Sequence, residues 1–173
     1  MKLYNQTTQY EYDWASVTLA MWQKYPNPFA THVVGSDVID RHLDEHGHLV
    51  TTRLFLKKSK IPEWGRLLIS STNAYILETS TVDPAASRMA ITTRNLSHRK
   101  LMLVEENAVI QRLAGGNTEM RICVRFVSNT SFTWLRPRIE KFGKSAFIKN
   151  AENTTKGLLH VLQTFGKIEM VIQ

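Results

Sequence analysis

The sequence predicts an α+β fold in which a curved antiparallel sheet carries a long helix across one face. Three observations predict it. Seven runs of strand-like composition are separated by turn residues and short links, which favours antiparallel pairing. Helical spacing occurs outside those runs, once early and once from about Ser131 onward. Hydrophobic residues make up 43% of 173 residues, which is enough for one domain with a sizeable core and too much for a disordered chain.

Residues 2–12 mix Leu3, Tyr4, Tyr10 and Tyr12 with Thr and Gln, a strand composition. Asp13 then offers a helix N-cap. Trp14, Val17, Met21 and Lys24 follow at spacings of three, four and three, one face of a helix. Pro26 and Pro28 end it, because proline drives the preceding residue out of the α region. "THVVGSDVIDRHL" and "HLVTTRLFLKK" read as two strands joined by the turn "DEHGH". Pro62 starts a short helical segment. Four more strands follow, at 74–83, 88–96, 100–113 and 119–128, the last two joined at the hairpin Gly115-Gly116-Asn117. The final helix carries its stripe on Leu135, Ile139, Phe142, Ala146, Asn150, Asn153, Gly157, Val161 and Phe165. It is expected to run about 50 Å at 1.5 Å per residue.

Lys and Arg number 22 against 15 Asp and Glu, a formal charge of +7. That balance favours nucleic acid, anionic lipid or phosphorylated ligands as partners. No run of 18 apolar residues occurs, so no membrane-spanning helix is predicted. The opening "MKLYNQTTQYEYDW" has the pattern of neither a secretory signal nor a cleavable mitochondrial presequence, and reads as the first strand of the fold. The single cysteine, Cys123, allows no internal disulfide and no cysteine-built zinc site. Its strand context predicts a buried, inert thiol.

Catalytic signals are weak, and no enzyme is predicted. There is no nucleophile elbow and no phosphate-cradling glycine loop, so no cofactor is expected. His42, His46 and His48 lie beside Asp40, Asp44 and Glu45 at a hairpin turn, and read as a solvated turn more than a metal site. Glu105 and Glu106 are adjacent in a strand, so one faces inward and one outward. The inward one suits an ion pair with nearby lysines.

The basic residues carry more information. "RLFLKKSK" sets Arg53 and Lys57 on one face of a strand and Lys58 on the other, with Lys60 just beyond. Alternation does not say which face is inside. Lys24 meets the negative end of the first helix, yet it also continues that helix's apolar stripe. Asn150 and Asn153 interrupt the apolar face of the last helix, where a buried amide needs a polar partner. Together these predict a pocket apolar along its length and basic at one end, suited to an anionic amphiphile. "IPEWGRLLISS", with Ile61, Trp64, Leu67 and Leu68 between Lys60 and Arg66, has the character of an interfacial segment; a helix packed on the sheet is the alternative.

"KYPNP", "HVVGSDVIDR", "TTRL", "VDP", "TRNLSHRKLMLVEE" and "FGKSAFIKNAENTTKGLLHVL" resemble the PRELI/Ups (PRELI/MSF1-type) family of mitochondrial intermembrane-space phospholipid-transfer proteins. The resemblance covers nearly the whole chain, as one domain over 1–173. It implies a seven-stranded antiparallel sheet wrapped by a long C-terminal helix around a phospholipid cavity. It implies carriage of phospholipid between the outer and inner mitochondrial membranes without chemical change, in support of cardiolipin synthesis. The implied partners are the phospholipid, transiently an anionic membrane, and a small helical-hairpin protein with twin Cys-x9-Cys motifs that forms a heterodimer. Carried over residue by residue, the headgroup contacts would be Lys24, His32, Lys57, Lys60 and Asn150. Asn153 stands where several members have lysine. Ile61 to Ser71, with Trp64, Leu67 and Leu68, would form the lid. "TRNLSHRKLMLVEE" and "PEWGRLL" look more like the phosphatidic acid subgroup than the phosphatidylserine one. A basic scaffold without ligand is the alternative from another class, and a hydrolase comes third. The basic residues are poorly interleaved with aromatics, which disfavours single-stranded nucleic acid.

Overall fold

The computed structural model describes residues 1–58, 61–66, 68–69 and 71–172, the last seven as backbone only. β1 (Lys2–Tyr10) leads to α1 (Trp14–Trp22), then to β2 (Val33–Leu43) and β3 (Leu49–Lys58). A single 3-10 turn, Glu63–Gly65, precedes β4 (Asn73–Asp83), β5 (Arg88–Asn95), β6 (Met102–Arg112) and β7 (Thr118–Ser128). A second 3-10 turn, Thr133–Leu135, opens into α2 (Arg136–Ile172). The strands form one sheet in the order β1-β7-β6-β5-β4-β3-β2, and every neighbouring pair is antiparallel. The α+β fold with seven strands and a long C-terminal helix is therefore the observed one. Among the described residues, no helix is long and apolar enough to cross a membrane.

Local chemistry explains the boundaries. Asp13 caps α1, its carboxylate accepting from the Ser16 amide at 2.9 Å. α1 ends at Trp22 with Gln23 as its cap, so Lys24 lies beyond the helix instead of in its last turn. The Tyr25–Pro26 bond is cis. β2 is an edge strand with irregular register near Gly35 and Ile39, which breaks up an edge that could otherwise pair with another chain.

Two expectations are corrected. Cys123 is exposed. Strand alternation explains it: Val124 and Phe126 are fully buried, which turns Cys123 and Arg125 to the outer face. The inward stripe of α2 is also displaced by about one residue. Ile139, Gly143, Ala151, Leu158 and Leu162 are buried, while Phe142 is 38% exposed and Asn150 is exposed. Two adjacent stripes of this helix are apolar or small, and close approach selected between them. A Cβ on Gly143 would overlap the Met102 sulfur, and one on Gly157 would sit 2.7 Å from Asn27 Nδ2. Asn27 belongs to the double-proline segment and hydrogen-bonds both the Lys24 carbonyl and the Phe29 amide. The helix thus rests directly on the segment that follows α1.

The solid core occupies one half of the space between sheet and helix. Tyr10, Val17, Met21, Met89, Ile110, Met120, Leu158 and Leu162 pack there. The other half contains the cavity.

Candidate functional site

The site arises from strand register. On β3 the inward positions are Thr51, Arg53 and Phe55, all buried, and Lys57 continues that series. This settles the question alternation left open: Arg53 and Lys57 face inward, Lys58 outward. Arg53 lies opposite Glu78 on β4, Glu78 opposite Thr93 on β5, and Thr93 opposite Glu106 on β6. One row across the inner face therefore reads Arg53, Glu78, Thr93, Glu106. It forms the border between the core and the cavity.

Lys24 comes down on this row from the double-proline segment. Its Nζ donates to Glu78 Oε2 at 2.9 Å. Arg53 binds the other oxygen, its Nε donating to Glu78 Oε1 at 2.9 Å. The Arg53 guanidinium also donates to the carbonyls of Trp22 at 2.9 Å and Met21 at 3.2 Å. The cation that satisfies the end of α1 is thus Arg53, from a strand, whereas the expectation had been Lys24. All three charged side chains are buried.

Burial works against each charge in this cluster, and the partners decide the outcome. Burial opposes the Lys24 ammonium, but the charge and hydrogen bond of Glu78, together with Tyr25, outweigh it and hold Lys24 above its ordinary value. Burial likewise opposes the Glu78 carboxylate, but Lys24 and Arg53 hold it below the usual carboxylate range. Glu106 differs. Burial pushes its carboxyl up, Lys24 and Lys57 pull it down without reversing the shift, and the Glu78 charge adds to the rise. Burial and the Lys57 charge lower the His32 imidazole, leaving it neutral at pH 7.

The cavity has two parts that share Lys57, Thr93, Glu106 and Phe147. The inner part, about 120 Å³, touches Lys24, His32, Glu78, Phe55, Asn150 and Thr154. The outer part, about 270 Å³, is bordered mainly by Ile61, Trp64, Ile76, Val104, Phe126 and Ile139. It has polar points as well, among them His98, whose Nε2 is buried without a partner.

The sequence-predicted residues distribute as follows. Lys24, His32, Lys57 and Asn150 meet at the inner part. Asn153 is half-buried one turn along and does not border it. Lys60 and Leu67 lie outside the described residues. Ile61 and Trp64 border the outer part, while Leu68 is 39% exposed and does not. Trp64 is held against α2, edge-on to Phe142 with ring centroids 5.8 Å apart, and the Arg138 guanidinium stands 5.0 Å from its ring centre. Glu78 was missed. Its signal was present: alternation in "ILETSTVD" sets Glu78 on the same face as Ile76, Ser80 and Val82, and an inward carboxylate requires cations. At the other carboxylate pair the expectation of opposite faces holds. Glu106 borders the cavity, while Glu105 meets Arg125 at 3.3 Å on the outer face. Of the three turn histidines, His42 pairs with Asp40 at 2.9 Å and His48 with Asp44 at 3.1 Å.

Residues 15–168 match the profile of the PRELI-like family. Two curated relatives span almost the whole chain. "Protein UPS1, mitochondrial" of Saccharomyces cerevisiae is 36% identical over 163 residues, covering 93% of each chain. "Protein ups1 homolog" of Schizosaccharomyces pombe is 34% identical over 158 residues, covering 90% of this chain and 92% of its own. Among solved structures, a START superfamily protein from Mycobacterium smegmatis superposes with a TM-score of 0.58 at 13% identity, covering 94% of this chain and 98% of its own. That likeness concerns the fold.

Proposed function

The chain belongs to the PRELI-like family, and from that premise we propose that it carries one phospholipid at a time between the outer and inner mitochondrial membranes. The lipid leaves chemically unchanged. The observation that supports this most is the polarity of the cavity. Its outer part is mainly apolar, and its inner part ends on the buried Lys24 and the half-buried Lys57. Lys24 and Lys57 border it, Arg53 stands behind Glu78, and burial favours the neutral form of Glu106, so the cations around Glu78 leave this end net positive. A phosphate monoester carries about 1.5 to 2 negative charges near neutral pH.

That match favours phosphatidic acid over phosphatidylserine, whose head adds an ammonium and a carboxylate that require their own partners. Lys24, His32, Lys57, Lys60, Asn150 and Asn153 are proposed as the headgroup set. Lys24 and Lys57 take the phosphate, and Asn153 acts only through a shift of α2 or a bridging water. Ile61, Trp64, Leu67 and Leu68 form the lid. In this reading the protein works in the intermembrane space, supplies cardiolipin synthesis, and is stabilised by a small twin Cys-x9-Cys partner. The exposed charge of the chain suits transient contact with anionic membranes and requires no nucleic acid.

Native mass spectrometry after incubation with phosphatidic acid vesicles tests the reading, together with a donor-to-acceptor vesicle assay. A one-to-one complex and faster transfer of phosphatidic acid than of phosphatidylserine are expected. An empty protein would support the scaffold alternative, and release of fatty acid would support a hydrolase.

Glu106 supplies a pH test. Its folded-state pKa lies above its ordinary value near 4.5. The folded protein therefore favours the protonated form. The stability this contributes is complete below the unfolded pKa and is lost as pH rises through the folded one. Glu106→Gln should accordingly raise the melting temperature at pH 7–8 and flatten its decline above about pH 4.5. Parallel thermal melts across that range check it. Identical slopes in both proteins would show that Glu106 titrates like a solvated carboxylate.

A further inference from the structure

The most exposed aromatic side chains of the molecule lie together on the turn that opens α2. Trp134 is 73% exposed and Phe132 is 54% exposed. Packing does not account for them. The 3-10 turn buries Leu135 and turns these two rings outward.

Hydrogen bonds fix this turn beside the outer part of the cavity. The Asn129 amide and the Ser128 hydroxyl both donate to the Leu101 carbonyl, at 3.1 and 3.0 Å. The Asn129 side chain donates to the Arg99 carbonyl at 3.1 Å. Leu101 and His98 border the outer part. Arg138, four residues beyond Trp134, reaches the Trp64 ring of the lid. The turn, the β5–β6 loop and the lid therefore share one rim.

The charge on this rim is positive. Leu96–Leu101 and Ser128–Arg138 contain no Asp or Glu and carry Arg99, Lys100, Arg136 and Arg138, all exposed. The lid adds Arg66 against Glu63. Leu96 and Leu68, each 39% exposed, add apolar area. Outward aromatics ringed by cations suit the headgroup layer of an anionic bilayer, where indole rings settle and cations meet lipid phosphates.

We propose that Phe132 and Trp134, with the cations of the β5–β6 loop and the start of α2, form a membrane-docking rim that enters the headgroup layer of an anionic bilayer beside the cavity. A bilayer fits better than a protein partner, since a protein seated there would cover the part of the cavity through which a lipid must pass. The inference rests on the transfer reading for the lipid's route, but its test does not.

Phosphatidylcholine vesicles with about one third phosphatidylglycerol supply surface charge without the favoured cavity ligand. The double substitution Phe132→Ser/Trp134→Ser should weaken binding to them about tenfold or more. The melting temperature, and uptake of phosphatidic acid from detergent micelles, should stay unchanged. Equal vesicle binding by both proteins overturns the proposal. So does loss of a protein partner with vesicle binding intact. Loss of vesicle binding in a protein that loads no phospholipid sinks the transfer reading and leaves the rim standing. Should the double variant fold poorly, the fluorescence difference between the wild type and Trp134→Phe isolates Trp134. That difference should move to the blue on vesicle addition and be quenched by brominated lipid. An unshifted, unquenched Trp134 overturns the proposal.

Discussion

Replacing Glu78 with Ala is expected to lower the unfolding free energy by about 3–5 kcal/mol, the usual cost of leaving a buried charge without its partner. For a chain of this size that corresponds to a fall in melting temperature of roughly 6–20 °C. Glu78 neutralises two buried cations at once, Lys24 and Arg53. Without it, two like charges face each other inside the protein, and Arg53 retains only the carbonyls of α1. Acid should act in the same direction. Glu78 has a depressed pKa, so its stabilisation is present above the unfolded value near 4.5 and is lost as pH falls through the folded one. The raised Lys24 pKa gives the opposite limit. Its contribution holds below the unfolded value near 10.5 and is lost as pH rises through the folded one. Denaturant unfolding of Glu78→Ala at pH 7 checks the claim. A loss under about 1 kcal/mol would show that the cluster is hydrated and the pair weak.

Lys24→Met should separate function from fold. Methionine preserves most of the buried stem and removes the charge, while Glu78 keeps Arg53. A hydrogen bond to a charged group contributes about 1.5–3 kcal/mol, so phosphatidic acid binding should weaken on the order of 10- to 150-fold. Transfer between vesicles should fall in parallel while the protein stays folded. Wild-type transfer by this variant would remove Lys24 from the proposed headgroup site. Lys24→Glu is a poorer experiment. It would put a second carboxylate against Glu78 in the interior, and the fold itself would suffer.

Legibility in the sequence followed the range of the interaction. Asp13 could be recognised as a cap because it acts on Ser16, three residues away. The strands and their turns were readable for the same reason, since alternation and turn residues are local. The inward stripe of α2 was placed about one residue off, because nothing local distinguishes a stripe that buries Phe142 from one that buries Gly143 and Ala151. The choice depended on Met102 and Asn27 pressing against two glycines. Cys123 was placed inside for a related reason: a run as apolar as "MRICVRFV" shows its alternation only once Val124 and Phe126 are known to face the helix.

By itself the sequence determined the α+β class, the order of the elements, the stop after the first helix and the gathering of basic residues near it. These depend on backbone preferences and short periodicities that the chain carries wherever it is. Only the tertiary structure decided what Lys24 does. Its partner Glu78 lies 54 residues away, and Arg53 reaches Glu78 across 25. Strand register brings those groups together, and register belongs to the paired sheet and to no single strand. The same holds for Glu106, which meets the buried cations only across three strands, and for Trp134, whose place beside the cavity depends on hydrogen bonds from its turn to the loop between β5 and β6.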